Sequence, residues 1–476
     1  MLAKFHGSPH QLWVGAIVLF TLSAAVNLAS PLYPLYQQSY AMSDWTMTAL
    51  YAAYIASALP SLLIFGSAAD ALGRKPVLLT AIGVVGLGTL MFTLDSAGIL
   101  SLFAGRVLMG IGLGLGTGAG IALMVEASPV RRPWLGSTTA TFSFVLGAGA
   151  GPIIAGALAE ITSGVLTVPF SAMLGLLAVS AAPVTVLRMR KPLTRQRWRP
   201  TRPSVPSGMR VNFNIAAITG FLGWAALGLF LALLPSMAES AIPDSSALTA
   251  GLIVGSVLVI SGICQLIAPI LEPRAAQTIG LSLLGLGSAL LLSSNLSGLE
   301  PATALTLMAI AAITTGAGHG LSYWGANREI DVLAPTEHRA GITAALYLAF
   351  YAGAGLPAIG VGIIAMGTPL TEAISFITVL LLLAIIVFIP IPSLVQTTIR
   401  RPRTTQADVS AISSAPVSSD TWPAGKTSNP TNDKLGHAGN AADELPSGVD
   451  QGAPDTDLLD DREGCDECSH ARASAF

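Results

Sequence analysis

Groups able to hold or move charge are few in this chain and sit at a handful of positions. The turn Gly66-Ser-Ala-Ala-Asp70-Ala-Leu-Gly73-Arg74-Lys75 gathers a carboxylate and two cations in a sequence only 11% charged. Such a group can form ion pairs that hold two elements together, and Asp70 can face the positive N-terminal end of a helix. Gly66 and Gly73 allow tight backbone approach and positive φ. Of the 24 Lys and Arg residues, only Arg106 falls well inside a long apolar stretch. His319, in Gly318-His319-Gly320, is the titratable candidate inside another. Histidine titrates near neutral pH and can carry a proton, while a helix histidine bonded to its neighbours is an equally good reading. Cys264 reads as a small buried residue. The pair Cys465-Asp-Glu-Cys468, with His470 nearby, is a single C-x-x-C motif, too little to predict a metal site.

The elements that must position these groups follow from composition. Hydrophobic residues make up 52% of the 476, and mean hydropathy is +0.67. The charged fraction is less than half of the usual value of about 25% in soluble domains. A water-soluble fold is excluded. About 20 mostly apolar residues cross a hydrocarbon core of roughly 30 Å, and that length predicts twelve helical spans, near 12–34, 47–66, 76–95, 98–125, 135–160, 164–187, 213–236, 248–271, 276–296, 301–324, 340–365 and 370–394. Lys4 before the first span, with Ala25 and Ala29 near its end, resembles a secretory signal, but the span's length favours an uncleaved helix.

Basic residues predict the topology, because cytoplasmic loops retain Lys and Arg. With both termini inside, the inner loops hold Arg74 and Lys75, Arg131 and Arg132, the run from Arg188 to Arg210, Arg274, Arg328 and Arg339, and the outer loops hold none. The domain organisation expected is a six-helix bundle over 1–187, a basic linker over 188–212, a second bundle over 213–394 and an acidic tail over 395–476. The linker, with four prolines among eight basic residues, should lie along the cytoplasmic face against anionic headgroups. The tail should be disordered.

A channel or a membrane-bound enzyme would fit twelve spans equally well, but internal repetition argues otherwise. Glu126-Ala-Ser-Pro129-Val-Arg131-Arg132, then Gly136, is echoed by Asp331-Val-Leu-Ala-Pro335-Thr-Glu-His-Arg339, then Gly341; Gly147-Ala-Gly149-Ala-Gly151-Pro152 is echoed by Gly353-Ala-Gly355-Leu-Pro357. Both echoes lie about 205 residues apart, which predicts two parallel six-helix repeats. The turn Glu272-Pro-Arg274, matching the Asp70 turn, reads as a decayed copy with little to do.

These features resemble the major facilitator superfamily of transporters. The loop 2–3 turn is similar to the family's G-x-x-x-D-x-x-G-R-K/R signature. The stretch from Arg106 to Gly110 in span 4 is similar to R-x-x-x-G. Residues Gly147, Gly151, Pro152 and Gly156 in span 5 are similar to the antiporter signature G-x-x-x-G-P-x-x-G. The resemblance implies that Asp70 meets the start of span 11 and that Arg74 and Lys75 mark a gating turn in which Arg74 reaches Glu126. It also implies a role in proton transfer for Arg106. At 1.5 Å per residue Arg106 lies roughly 12 Å deep, where a charge must face protein or water. A structural arginine bonded to carbonyls of span 1 is the other reading. Glycines four apart make a smooth face for close packing, which is the alternative account of the span 5 motif.

Spans 1, 2, 7 and 8 carry no mid-membrane acid, unlike many multidrug exporters of this family, which speaks against a cationic substrate. Asn27, Tyr33, Tyr323, Trp324 and Asn327 are candidates for the cavity wall. The resemblance implies a monomeric plasma-membrane antiporter that exports a small amphipathic or drug-like compound against protons, with membrane lipids and no nucleic acid as partners. No G-x-x-x-x-G-K-[ST] loop is present, so neither ATP nor another cofactor is expected. An importer or facilitator of a sugar or organic acid, and a sensor or scaffold that does not transport, remain as alternatives.

Overall fold

Apolar sequence inside a bilayer is driven into helix, because a helix satisfies each backbone N–H and C=O within its own segment. The structure, a computed structural model, describes residues 9–66, 68–94, 98–129, 132, 135–187, 203–241, 246–294, 299–335 and 339–395, with the side chains of 232–241 and 339–340 left aside. Among the described residues all regular structure is helical, and twelve helices are long and apolar enough to cross a membrane. They are α1 (Pro9–Asn27), α2 (Asp44–Phe65), α3 (Arg74–Met91), α4 (Gly98–Glu126), α5 (Leu135–Ile161), α6 (Val168–Val186), α7 (Arg210–Ala241), α8 (Ala247–Ile267), α9 (Pro273–Ser294), α10 (Pro301–Leu333), α11 (Arg339–Ile364) and α12 (Leu370–Phe388). Short helical segments follow α1 (Ser30–Leu32, Tyr33–Ser39), fill the α2–α3 turn (Ala68–Leu72) and follow α12 (Ile391–Leu394).

Each expected span has its helix, with ends displaced by a few residues. The largest displacement is in α10, expected to end at 324, which continues to Leu333. Its last turns carry Asn327, Arg328, Glu329 and Asp331, so hydropathy falls while the backbone stays helical. Arg131, most of the basic linker, and the tail with Cys465, Cys468 and His470 lie outside the described residues, as do the side chains of Glu239 and Arg339.

The two sets of six helices pack in one pattern. In the first set α1 lies against α4, α5 and α6, α2 against α4, and α3 against α4 and α6; α7 to α12 repeat each of these pairings in the same order. The repeat reaches single residues. Ser43 caps α2 by accepting from the Thr46 N–H, and Ser246 caps α8 by accepting from the Thr249 N–H, both at 3.2 Å. Gly147 of α5 rests on the Phe20 carbonyl of α1, where a Cβ would lie 2.2 Å from the oxygen; Gly353 of α11 rests on the Phe221 carbonyl of α7, where it would lie 2.3 Å away. Close backbone approach of this kind supplies the dispersion contact on which helix association depends in lipid.

Two seams join the sets, α5 against α8 and α2 against α11. Both are closely packed on the face opposite the Arg74 turn. There a Cβ on Gly156 would lie 2.5 Å from the Ala247 carbonyl oxygen, and one on Gly362 would lie 3.0 Å from the Thr48 Cβ. The Ser30 hydroxyl also donates to the Leu231 carbonyl across the sets on this face.

Candidate functional site

The α2–α3 turn is an ion-pair junction inside the first set. Gly73 has φ +92°, a conformation L side chains rarely adopt, and this brings Arg74 back over the turn. Arg74 Nη2 donates at 2.5 Å to Asp70 Oδ1 and at 2.5 Å to Glu126 Oε1 at the end of α4, while Nη1 donates at 2.6 Å to the Ala69 carbonyl. Lys75 Nζ donates to the Thr185 carbonyl and, at 3.5 Å, to that of Leu187 at the C-terminal end of α6, where the helix dipole favours a cation. Arg74 meets Glu126 as expected. Asp70 is more than half exposed and pairs with Arg74; the expected meeting with the start of α11 falls at residues 336–340, whose side chains lie outside the description.

The Glu272-Pro-Arg274 turn is not the idle copy that its sequence suggests. Arg274 donates to Glu329 Oε1 from Nε at 3.0 Å and from Nη2 at 2.5 Å, to Asn212 Oδ1 at 2.9 Å, and to the carbonyls of Pro392 and Val395 at 3.1 and 2.9 Å. Gln277 Nε2 donates to Glu329 Oε2 at 2.6 Å, and Thr219 donates to Gln277 Oε1 at 3.0 Å. Only 3% of the Glu329 side chain is exposed, against 52% for Glu126. The second junction ties α7, α9, α10 and the segment after α12 together more deeply than the first ties its own helices. Sequence reading missed Glu329 because α10 was expected to end before it, although Arg274 and Glu329 follow Arg74 and Glu126 by close to the repeat offset.

Arg106 is 1% exposed. Its Nη1 donates at 2.5 Å to the Val26 carbonyl of α1 and its Nη2 donates to the Tyr33 hydroxyl. Its guanidinium carbon lies 5.3, 5.6 and 5.5 Å from the ring centres of Tyr33, Tyr54 and Phe92. Carbonyl bonding and three ring quadrupoles offset the cost of burying the charge. The geometry is that of the arginine bonded to span 1, and no ion pair to Arg106 occurs among the described residues.

His319 is fully buried in α10. Its Nδ1 shares a 2.8 Å hydrogen bond with Ser261 Oγ of α8. Its ring meets Trp224 of α7 edge to face at 4.8 Å and stacks on Tyr323 at 5.4 Å. His319 Nε2 and Trp224 Nε1 are both shielded from solvent and without a hydrogen-bond partner.

Between the sets lies a small, partly open cavity, lined by Leu19, Thr117, Ile121, Ala140, Thr141 and Phe144 on one side and by Trp224, Tyr323, Tyr347, Phe350 and Tyr351 on the other. Thr117 and Ile121 belong to the last third of α4, and Ala140 to Phe144 to the first turns of α5, so the cavity lies toward the Arg74 face. None of the lining side chains is charged. Of the five residues expected at the wall, only Tyr323 is there. Tyr33 is held by Arg106, Asn27 donates to the Ser23 carbonyl and Asn327 to that of Tyr323, and Trp324 lies outside the lining. The aromatic wall of α11 escaped sequence reading because Tyr347, Phe350 and Tyr351 look like ordinary span residues until the packing turns them inward.

The span 5 glycines divide between two partners. Gly147 and Gly151 seat α5 on the Phe20 and Ala24 carbonyls of α1, while Gly156 and Gly149 seat it on α8, with Pro152 between them. Helix α5 is thus the wedge between α1 and the other set.

Twelve helices in two repeated sets around a central cavity define a polytopic transporter of alternating-access architecture. A family model for the Major Facilitator Superfamily matches residues 15–358, and the chain belongs to that family, whose members are secondary transporters rather than enzymes. The chain is similar in fold to a POT family transporter solved in complex with 5-aminolevulinic acid, at TM-score 0.65 and 16% identity, over 83% of this chain and 98% of that one. A comparison with curated protein sequences returned no match.

Proposed function

We infer that this transporter exports a small, uncharged amphipathic compound in exchange for protons, from a plasma membrane in which the Arg74 face and both termini are cytoplasmic. The observation that carries the reading is the cavity wall: hydroxyls and aromatic rings, with no charged side chain. An ionised ligand there would exchange its hydration for a wall with no counter-charge, a penalty of several kcal/mol. The aminolevulinate bound by the POT transporter carries two charged groups, so its identity does not transfer to this chain. The distribution of basic loops supports the orientation. The Gly147 to Gly156 motif, seated on α1 and α8, supports exchange over import.

For the proton, the candidates are His319, one ring behind the cavity wall, and Arg106. The close packing of the seams opposite the Arg74 face supports reading the arrangement as a carrier open toward the cytoplasm. In the alternate state Asp70 would dock on the start of α11 while Arg74 keeps Glu126. The chain works as a monomer.

The test is proton movement in energised inside-out vesicles, read with a pH-sensitive dye as cationic, neutral and anionic compounds are added. Dequenching on addition of neutral compounds, absent in Arg106→Ala vesicles, is expected. A response confined to cations would overturn the uncharged substrate, and silence across the panel would remove proton antiport.

A further inference from the structure

Helix α1 breaks within the protein interior. It stops at Asn27, and the chain continues as a turn over Ser30–Leu32 and a short helix over Tyr33–Ser39. Pro31 and Pro34 have no N–H to offer the carbonyls four residues back, so the helix does not run through. The break is buried: Leu28, Ala29, Ser30, Leu32 and Tyr33 are each 3% exposed or less. Carbonyls in the last turn of a helix have no donor of their own, and in a bilayer the protein must supply one.

Arg106 of α4 supplies it. Its Nη1 donates at 2.5 Å to the Val26 carbonyl in the last turn of α1, where the helix dipole also favours a cation, and its Nη2 donates across the break to the Tyr33 hydroxyl. One guanidinium thus fixes both sides of the break. Beyond it, Tyr36 meets the rings of Phe92 at 5.9 Å and 73° and of Phe170 at 6.5 Å and 58°, which seats the Tyr33–Ser39 helix on its own set. The turn held between these points is what meets the other set. Ser30 donates to the Leu231 carbonyl of α7, and Ser30–Leu32 packs against α7 and α8 as well as α5. That meeting lies on the closely packed face opposite Arg74.

We propose that Arg106 is a positioning residue for the closure of that face: by bridging Val26 and Tyr33 it sets the Ser30–Leu32 turn as a knuckle against α7 and α8. The proposal rests on the carrier having two alternating mouths and names the part that shuts one of them. It assigns the effect of losing Arg106 to the opening of this face rather than to the transfer of a proton.

Side-specific thiol labelling tests it. Ala29, in the break, is 1% exposed, and Ala268, just past α8 on the Arg74 face, is fully buried. Each is made the sole cysteine of the full-length protein, with Cys264, Cys465 and Cys468 replaced by serine, and is reacted with a membrane-impermeant sulfonated maleimide in vesicles of each orientation. With Ala29→Cys, Arg106→Ala should raise the rate about tenfold or more from the side away from Arg74, the weight of a charge-assisted hydrogen bond. Tyr33→Phe and Ser30→Ala leave the arginine in place and remove one oxygen each, and each should raise that rate about fivefold. With Ala268→Cys the rate should hold or fall, because a carrier that opens one mouth closes the other. Unchanged labelling at position 29 in all three variants, a rise in Arg106→Ala alone, or an equal rise at both reporters, which marks general loosening, would each overturn the proposal. Should Arg106→Ala fail to fold, the two single-oxygen variants still decide. The labelling uses no substrate, so a protein that fails here yet dequenches in the vesicle assay keeps its antiport and loses only this role for Arg106.

Discussion

At the scale of single residues, the junction of α1 and α5 tolerates almost nothing. A Cβ on Gly147 would lie 2.2 Å from the Phe20 carbonyl oxygen and 2.8 Å from its carbonyl carbon, so backbone rather than a flexible side chain must yield. Gly83 in α3 has nothing within 4 Å of its Cβ position, and alanine is the better helix former by about 0.5–1 kcal/mol. Gly147→Ala should therefore lower the melting temperature of the purified protein by several degrees, and Gly83→Ala should leave it level or slightly raised, as read by differential scanning fluorimetry. Parental melting in Gly147→Ala would mean that α1 and α5 separate freely and that the glycine face is not what seats them. Arg106 illustrates the other single-residue economy of this protein. Its charge is accommodated by one carbonyl, one phenol and three rings rather than by a carboxylate, which leaves the helices around it free of a second buried charge.

At the scale of elements, the two related turns have diverged in depth rather than in kind. Arg74 pairs with carboxylates that are more than half exposed, whereas Arg274 pairs with a carboxylate 3% exposed and also holds the Pro392 and Val395 carbonyls. Exposed pairs contribute about 0–1 kcal/mol, while removing one partner of a buried pair costs about 3–5 kcal/mol. Arg274→Ala should accordingly destabilise the protein well beyond Arg74→Ala, with Glu329→Gln between them, because the amide can still accept one bond from Arg274. Equal melting temperatures for Arg74→Ala and Arg274→Ala would refute a deeper second junction. The same comparison shows what sequence can disclose. Twelve spans, the repeat and the Arg74 to Glu126 pair were legible because hydropathy, the 205-residue echo and a contiguous motif are written along the chain. Arg274 looked idle because its partners Asn212, Glu329 and Pro392 are scattered over 180 residues of sequence, and only packing gathers them. The cavity wall was hidden for a related reason: in a bilayer, lipid-facing and cavity-facing aromatics are equally apolar, so composition does not tell Tyr347 from Trp324.

At the scale of the whole molecule, the seams decide what must move. On the face away from Arg74, α2 and α11 meet at Thr48 and Gly362, with 3.0 Å between the Thr48 Cβ and a Cβ on Gly362, and α5 meets α8 through Gly156 and Ala247. Toward the Arg74 face α4 and α5 of one set and α7, α10 and α11 of the other line the cavity. If the two sets rock about the cavity as rigid bodies, the α2–α11 seam has to open in every cycle. Cysteines placed at 48 and 362, in a protein whose Cys264, Cys465 and Cys468 are replaced by serine, start at 3.0 Å between Cβ positions, so a small outward shift of the seam reaches the separation of about 3.5–4.5 Å that a disulfide needs. Oxidation should then lock this seam shut. Turnover in vesicles should stop and return on reduction, while binding of a substrate added from the Arg74 side should survive oxidation. Turnover that continues at the reduced rate under full cross-linking would mean that this seam stays shut throughout the cycle and that the substrate leaves by another route. Loss of both binding and turnover would mean instead that the cavity needs the seam to open before it can fill. The three outcomes separate a carrier with two alternating mouths from one with a fixed opening, because only the first requires contacts this close to be broken and remade at each passage.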